Sequence, residues 1–135
     1  MIKIVDDIYK INKKYHISKL KHIYKELKIK GTIVIKLGSK AESKDLNFYY
    51  LKNDFPTDVL SFPFNEKLSK EYYIGDIFIC YPIAKEQAEE NNISLEKELL
   101  CLMIHGILHL TGYDHEKDRG EMLKLQDQLI KKIEL

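Results

Sequence analysis

The feature that most restricts the fold of this chain is a segment from Leu95 to Thr111 that is apolar almost all the way round a helix. Its apolar residues are Leu95, Leu99, Leu100, Leu102, Met103, Ile104, Ile107, Leu108 and Leu110. A helix with so little polar surface has to be buried on most of its sides. The segment is therefore predicted to be the central helix of the fold, packed against a sheet.

The remaining pattern places most strands early and most helices late. Strands are predicted at Ile2–Val5, Thr32–Ile35, Val59–Phe64 and Tyr72–Cys80. Helices are predicted from Ser18 to about Ile29, Ser39 to about Leu51, Pro82 to Glu90, Leu95 to Thr111 and Gly120 to Ile133. This order favours an α+β fold with a small mixed sheet of about four strands packed on helices. The length of 135 residues predicts a single domain over residues 1–135.

Three histidines at the end of the apolar helix have the spacing of a metal site. His105 and His109 are four residues apart, so both side chains lie on one face of a helix. Gly112 provides the turn that commonly ends a helix, and the chain can then bring His115 over the first two histidines. Three imidazoles with one open position are typical of a catalytic metal centre, for which zinc, one ion per chain, is the expected metal.

The other histidines and the cysteines receive plainer interpretations. His16 and His22 lie in a lysine-rich stretch and are predicted to be solvated on the surface. Cys80 and Cys101 are predicted to remain reduced and to be buried as small apolar residues. Cys101 precedes His105 by one helical turn, but three histidines already complete a catalytic ligand set.

The residue after His105 argues against the best-known use of such a helix. Zinc proteases with an His-Glu-x-x-His helix carry their general base at this position, where the present chain has Gly106. A zinc peptidase or amidase is therefore the second hypothesis. A bound metal can still activate water or polarise a phosphoryl oxygen for another hydrolysis.

The segment His105–His115 resembles the signature of the YbeY endoribonucleases, bacterial ribosomal RNA maturation factors. The second characteristic segment of that family is similar to Leu46-Asn47, Tyr50, Asp54 and Pro56–Pro63. Gly75-Asp76-Ile77 and Glu98 also match, so the resemblance runs from about Leu46 to the C-terminus. It implies an α+β fold and a metal-dependent, single-strand-specific endoribonuclease in ribosomal RNA maturation and ribosome quality control. Its partners would be single-stranded RNA, a ribosomal RNA precursor or a ribosomal particle.

One position departs from the family. After the tyrosine at Tyr50 the family usually carries an arginine that is thought to act at the active site, and this chain has Leu51. Lys52 is a candidate substitute for phosphate contact, although lysine lacks the planar fork of arginine. This departure keeps a third hypothesis open, a non-catalytic ribosome-binding module with a structural metal.

Five further residues are candidates around the metal. Asp114 and Asp76 are candidates to accept a hydrogen bond from a ligand histidine, although either can instead cap a turn. The resemblance implies that Thr57, Asp58 and Ser61 form a polar edge of the substrate cleft. Alternatively, these three residues have only a structural role, in a turn and at the end of a strand.

The charge of the chain is unevenly distributed. Residues 1–44 carry twelve lysines against four acidic residues, a balance of +8, and the rest of the chain carries −7. Lys19, Lys21, Lys25 and Lys28 belong either to a surface that attracts RNA phosphates or to an ordinary solvated helix face. The start of the chain lacks a signal-peptide core and the apolar runs are too short to span a membrane, so a cytoplasmic location is expected.

Overall fold

The computed structural model of the chain describes residues 1–68, 70–112 and 120–134. Four strands are present in the described part: β1 (Ile2–Val5), β2 (Thr32–Gly38), β3 (Val59–Leu68) and β4 (Glu71–Cys80). Five helices accompany them: α1 (Lys13–Leu27), α2 (Lys40–Leu51), α3 (Tyr81–Glu90), α4 (Leu95–Leu110) and α5 (Glu121–Glu134). The α+β architecture is as predicted.

The four strands form one mixed sheet in the order β1-β2-β4-β3. β1 and β2, and β2 and β4, are parallel, whereas β3 runs antiparallel to β4. The register aligns Ile4, Ile35, Ile77 and Ser61 in one row across the sheet. The next row is Lys3, Val34, Asp76 and Phe62, and it faces the opposite side because side chains alternate along a strand.

The predicted central helix is confirmed as α4. Ten of its residues are buried, and its apolar side chains pack against the sheet face that carries Ile35 and Ile77. α1, α3 and α5 also contact α4, so this helix is enclosed by the sheet and three helices. α2 contacts β4 on the other face, where Leu46 packs against Leu60 and Phe78.

The start predicted for the first helix was wrong. α1 begins at Lys13, because the Asn12 side chain accepts a hydrogen bond from the Tyr15 backbone at 3.0 Å and caps the helix there. The earlier start places His16 against α4, fully buried, which corrects its assignment to the surface. Its ring nitrogens lie 2.9 Å from the Asn12 carbonyl oxygen and 3.2 Å from that of Glu96. His22 is exposed, as predicted.

The ends of the other elements lie close to their predicted positions. Ser39 caps α2 as predicted: its hydroxyl accepts a hydrogen bond from the Glu42 backbone at 3.1 Å, and the Glu42 carboxylate accepts one from the Ser39 backbone N–H at 3.2 Å. β2 and β3 extend beyond their predicted ends at Ile35 and Phe64. In β2, the buried Leu37 continues the alternation past the exposed Lys36 and keeps the strand on the core.

Both cysteines are described, and no disulfide joins them. Cys80 is fully buried, and burial raises the pKa of its thiol, so the side chain behaves as a small apolar residue. Cys101 is only partly buried. Within the described ranges, no helix has the length and apolar character that crossing a bilayer requires.

Candidate metal centre and substrate cleft

The side chains of His105 and His109 converge on one point beside α4. Their Nε2 atoms lie 3.1 Å apart, and the ring centroids are 4.7 Å apart with the planes at 72°. Two nitrogens that bind one tetrahedral zinc at 2.0–2.1 Å are separated by about 3.3 Å. The distance between the two Nε2 atoms is therefore close to the one that a shared zinc ion requires.

A glutamine on α5 holds the first of these histidines. Nδ1 of His105 lies 3.0 Å from Oε1 of Gln126, and because a carbonyl oxygen only accepts, Nδ1 is the donor in this pair. The proton on Nδ1 leaves the Nε2 lone pair directed into the cleft. Metal-binding histidines commonly have a partner of this kind. No pattern in the sequence indicates Gln126, because it lies 21 positions after His105 and belongs to no local motif.

The chain leaves α4 through the predicted glycine turn. The helix ends at Leu110, and Gly112 has a φ of +110° while its N–H lies 3.3 Å from the His109 carbonyl oxygen. This positive φ favours glycine. The predicted third ligand, His115, and the candidate Asp114 lie outside the described residues. Within residues 1–68, 70–112 and 120–134, no cluster of three or more histidine, cysteine or acidic side chains could hold a metal ion.

A cleft of about 560 Å³ opens in front of the two histidines. It is lined by Tyr50, Leu51, Thr57, Asp58, Val59, Leu60, Ser61, Phe62, Pro63, His105, His109 and Leu110. The structure thus brings Thr57, Asp58 and Ser61 together with the histidines at one site. Ser61 occupies the sheet face that α4 covers, and its hydroxyl lies 3.4 Å from the carbonyl oxygen of Gly106.

Of the described residues that line this cleft, Asp58 is the one with a carboxylate. Its oxygens already accept several hydrogen bonds. The Val59 backbone donates at 2.7 Å, the Thr57 hydroxyl at 3.3 Å and the Gln87 amide at 3.4 Å. Asp58 therefore holds the start of β3 in place, which is the strand-end role considered for it. Burial, and then the negative charge of Asp58, raises the pKa of Glu98, which is buried and does not line the cleft.

Gly106 faces the sheet and not the cleft. A Cβ atom built on Gly106 would lie 2.8–3.0 Å from three carbon atoms of the Ile77 side chain. Because Ile77 is buried in the core, any larger residue at position 106 would displace it or the strand. The structure thus explains by packing why the glutamate of a zinc protease is not found here.

Two candidates from the sequence lie away from the histidines. Asp76 points to the opposite face of the sheet, where its carboxylate accepts a hydrogen bond from the hydroxyl of Tyr73. That face is separated from α4 by the sheet, so the geometry does not support Asp76 as the partner of a ligand histidine. Lys52 ends α2 with a φ of 62°, and its Nζ lies 3.4 Å from the Tyr49 carbonyl oxygen. Leu51, and not Lys52, lines the cleft.

The lysines of the first 44 residues also lie elsewhere. Among the described residues that line the metal cleft, there is no lysine. Lys21 and Lys25 are exposed on α1 and Lys28 is exposed just after its end, whereas Lys19 donates to the Ile133 carbonyl oxygen at 2.7 Å and ties α1 to α5. A role of the exposed lysines in RNA binding remains a prediction.

A second and larger groove, about 710 Å³, lies on the opposite face of the sheet. We call it the sheet groove; its walls include Val34, Lys36, Phe64, Asp76 and Phe78. Tyr50, Phe62 and Pro63 border both the sheet groove and the metal cleft. These three residues therefore form the boundary between the two.

Comparison with known proteins gives one consistent result. The model of the family "Endoribonuclease YbeY" matches residues 3–134. A protein of that name from Persephonella marina is 42% identical over 129 residues, which cover 91% of this chain and 84% of that protein. A protein of the same name from Thermotoga neapolitana is 44% identical over 114 residues, which cover 82% of this chain and 72% of that protein.

The fold agrees with a solved structure. The solution structure of TM1509 from Thermotoga maritima superimposes with a TM-score of 0.68 at 36% sequence identity, covering 98% of this chain and 89% of the other. The family resemblance of the two sequence segments is thus confirmed, and the match extends over nearly the whole chain. The chain belongs to the YbeY endoribonuclease family.

Proposed function

We propose that this protein is a metal-dependent endoribonuclease that cleaves single-stranded RNA, with ribosomal RNA precursors as its substrate class and ribosome maturation and quality control as its setting. Its cofactor is one zinc ion per chain, held by His105, His109 and His115. The observation that carries the metal proposal is the 3.1 Å separation of the two Nε2 atoms. The nuclease activity rests on membership of the endoribonuclease family.

The described residues fit a zinc ion in the chemistry of their donors. Neutral imidazole is a common zinc ligand, and Gln126 keeps the proton of His105 on Nδ1, away from the ion. His109 projects from the next turn of the same buried helix, so both ligands have rigid support. When bound, the zinc ion would stabilise negative charge on the scissile phosphate and lower the pKa of a coordinated water.

The other cleft residues position the RNA. The hydroxyl of Ser61 is beside the ligand helix and can donate to a phosphate oxygen in place of the Gly106 carbonyl. Tyr50, Leu51 and Phe62 form an apolar side of the cleft beside the histidines. No side-chain base is assigned, since Asp58 is engaged by three donors.

The peptidase hypothesis is the weaker alternative. It requires a general base, and the position next to His105 is occupied by a glycine packed on Ile77. The third hypothesis, a non-catalytic ribosome-binding module, differs from the proposal in one measurable respect. A binding module would retain its affinity for RNA and cleave none.

The proposal is tested by cleavage of a single-stranded ribosomal RNA precursor fragment. The zinc-loaded protein, the same protein with chelator, and His109→Ala are compared with His22→Ala, which removes an exposed histidine that does not line the cleft. Cleavage by the zinc-loaded wild type and by His22→Ala, but not by the chelator-treated protein or by His109→Ala, supports the proposal. Equal cleavage in all four samples would assign the activity to another site or to a contaminating nuclease. Binding without cleavage by the wild type would favour the third hypothesis.

A further inference from the structure

The end of α2 and the segment after it expose an unusual amount of apolar surface. Five large side chains between positions 48 and 55 are each more than half exposed: Phe48, Tyr49, Tyr50, Leu51 and Phe55. Single exposed apolar residues are common on soluble proteins, but contiguous patches mark binding sites. Leu51 and Tyr50 also line the metal cleft, so this patch continues into the candidate active site.

Three aromatic rings form the inner edge of the patch. The rings of Tyr49 and Tyr50 are 4.9 Å apart at 77°, and those of Tyr50 and Phe62 are 4.9 Å apart at 51°. We call these three residues the aromatic ridge. The ridge extends from Tyr49, which is 70% exposed, to the boundary between the metal cleft and the sheet groove.

We propose that the aromatic ridge binds the unpaired bases of single-stranded RNA by stacking and so directs the adjoining phosphate into the metal cleft. The inference rests on the function proposed above and adds the substrate-binding surface of the same site. Bases in a duplex are stacked on one another, whereas bases in a single strand can turn outward onto protein aromatic rings. The ridge therefore provides a physical reason for preferring single strands.

The charges around the site favour bases over phosphates as the main contact of the ridge. Among the described residues that line the metal cleft none is a lysine, and the three ridge side chains are uncharged, so the ridge itself offers bases an aromatic face and phosphates no cation. Lys52 lies at the outer end of the ridge, and its long 3.4 Å bond to the Tyr49 carbonyl oxygen is exposed. Its amine can turn to one phosphate beside a stacked base. Stacking on aromatic residues tolerates any base, which suits an enzyme that recognises unpaired RNA.

The direct test compares a normal RNA with one that has the same charge but no bases. The affinity of the full-length protein is measured by fluorescence anisotropy for a labelled single strand of about ten nucleotides and for an abasic strand of equal length. Chelator prevents cleavage, and the length of the RNA is checked afterwards. We expect the abasic strand to bind at least about tenfold more weakly, since stacking contributes roughly 5- to 150-fold in affinity per base.

The variants assign this difference to the ridge. Tyr49→Leu and Tyr50→Leu keep an apolar helix-forming side chain but lose the aromatic face, and each is expected to weaken binding of the normal strand about 5- to 50-fold. Tyr50→Phe keeps the ring and should bind as the wild type. Tyr72→Leu is the matched control, because Tyr72 is an exposed tyrosine at the start of β4 and outside the ridge. Circular dichroism confirms that all four variants are folded.

Two results would overturn the proposal. One is equal affinity of the wild type for the normal and abasic strands. The other is unchanged RNA affinity of Tyr49→Leu and Tyr50→Leu, which would show that the ridge does not bind the RNA bases. Neither result affects the metal-dependent cleavage test with His109→Ala, so failure of the ridge and failure of the proposed nuclease activity are distinguishable.

Discussion

Gln126 on α5 fixes the orientation of His105 on α4 through a 3.0 Å hydrogen bond between Oε1 and Nδ1. The pair joins the helix that carries two candidate ligands to the last helix of the chain. It also determines which nitrogen of His105 is available to a metal, because the other nitrogen carries the proton.

Removing this bond should weaken metal binding without unfolding the protein. We expect Gln126→Leu to lower zinc affinity about 10- to 100-fold, as is typical when the hydrogen-bond partner of a ligand histidine is lost. Gln126→Glu, which still accepts a hydrogen bond from Nδ1, should retain zinc affinity. Competition with a chromophoric chelator measures all variants. Gln128→Leu is the matched control, because Gln128 is exposed on the same helix.

Equal zinc affinity of Gln126→Leu and Gln128→Leu would show that the hydrogen bond to His105 has no influence on the metal.

The contact between Gly106 and Ile77 predicts that substitutions at these two positions have coupled effects on the free energy of unfolding. Gly106→Ala introduces a Cβ 2.8 Å from the Ile77 side chain, and overpacking of this kind costs about 1–3 kcal/mol of unfolding free energy. Alanine regains about 1 kcal/mol of helix propensity, so the net loss is smaller. In an Ile77→Val background, which lacks the Cδ1 atom, the same substitution should be less destabilising. Urea unfolding of the four proteins measures this coupling.

Additive effects of Gly106→Ala and Ile77→Val would mean that the strand moves to accommodate the new methyl group, and that glycine is not required by packing.

Glu98 predicts a dependence of stability on pH. Burial raises its pKa in the folded protein, and the charge of Asp58 raises it further. The folded state therefore holds the proton more tightly than the unfolded state. The resulting stabilisation is complete below the ordinary pKa of about 4.5 and is lost as the pH rises through the folded pKa. Glu98→Gln, which remains neutral, should raise Tm at pH 7.

At pH 4 the advantage of Glu98→Gln should be largely gone, because Glu98 is then mostly protonated. Glu96→Gln serves as the control, since Glu96 is exposed in the same first turn of α4. A Glu98→Gln protein with a lower Tm than wild type at pH 7 would contradict the account.

Leu51 lines the metal cleft, at the position where the family resemblance of the sequence implies an arginine. Leu51→Arg would add a guanidinium that can form two hydrogen bonds to a phosphate. We expect kcat/KM for RNA cleavage to rise by at least about tenfold, since hydrogen bonds to charged groups contribute about 1.5–3 kcal/mol. Leu51→Met is the neutral control of similar size, and Lys52→Ala tests the neighbouring cation. Unchanged or lower kcat/KM in Leu51→Arg would show that the cleft does not use a cation here.

Local spacing predicted the parts of the site that lie on one element. His105 and His109 are separated by one helical turn, and the apolar character of α4 required it to be central. The glycine turn at Gly112 and the cap at Ser39 were also predictable, because each depends on a short-range hydrogen bond or on φ.

Contacts between distant segments were not predictable in this way. Gln126 meets His105 through the packing of α5 on α4, and no pattern in either segment indicates that contact. Asp76 was a candidate to accept a hydrogen bond from a ligand histidine, but the alternation of side chains along β4 directs it to the other face. His16 was assigned by the composition of its neighbours, which does not reveal the buried face of α1.

The most direct test of the account is a zinc-binding titration of the wild type beside His105→Ala, His109→Ala, His115→Ala and His22→Ala. We predict one zinc ion per chain for the wild type and for His22→Ala, with binding abolished or weakened by several orders of magnitude in the other three. Zinc binding of equal stoichiometry and affinity in all five proteins would contradict the central claim that these three histidines form the metal centre.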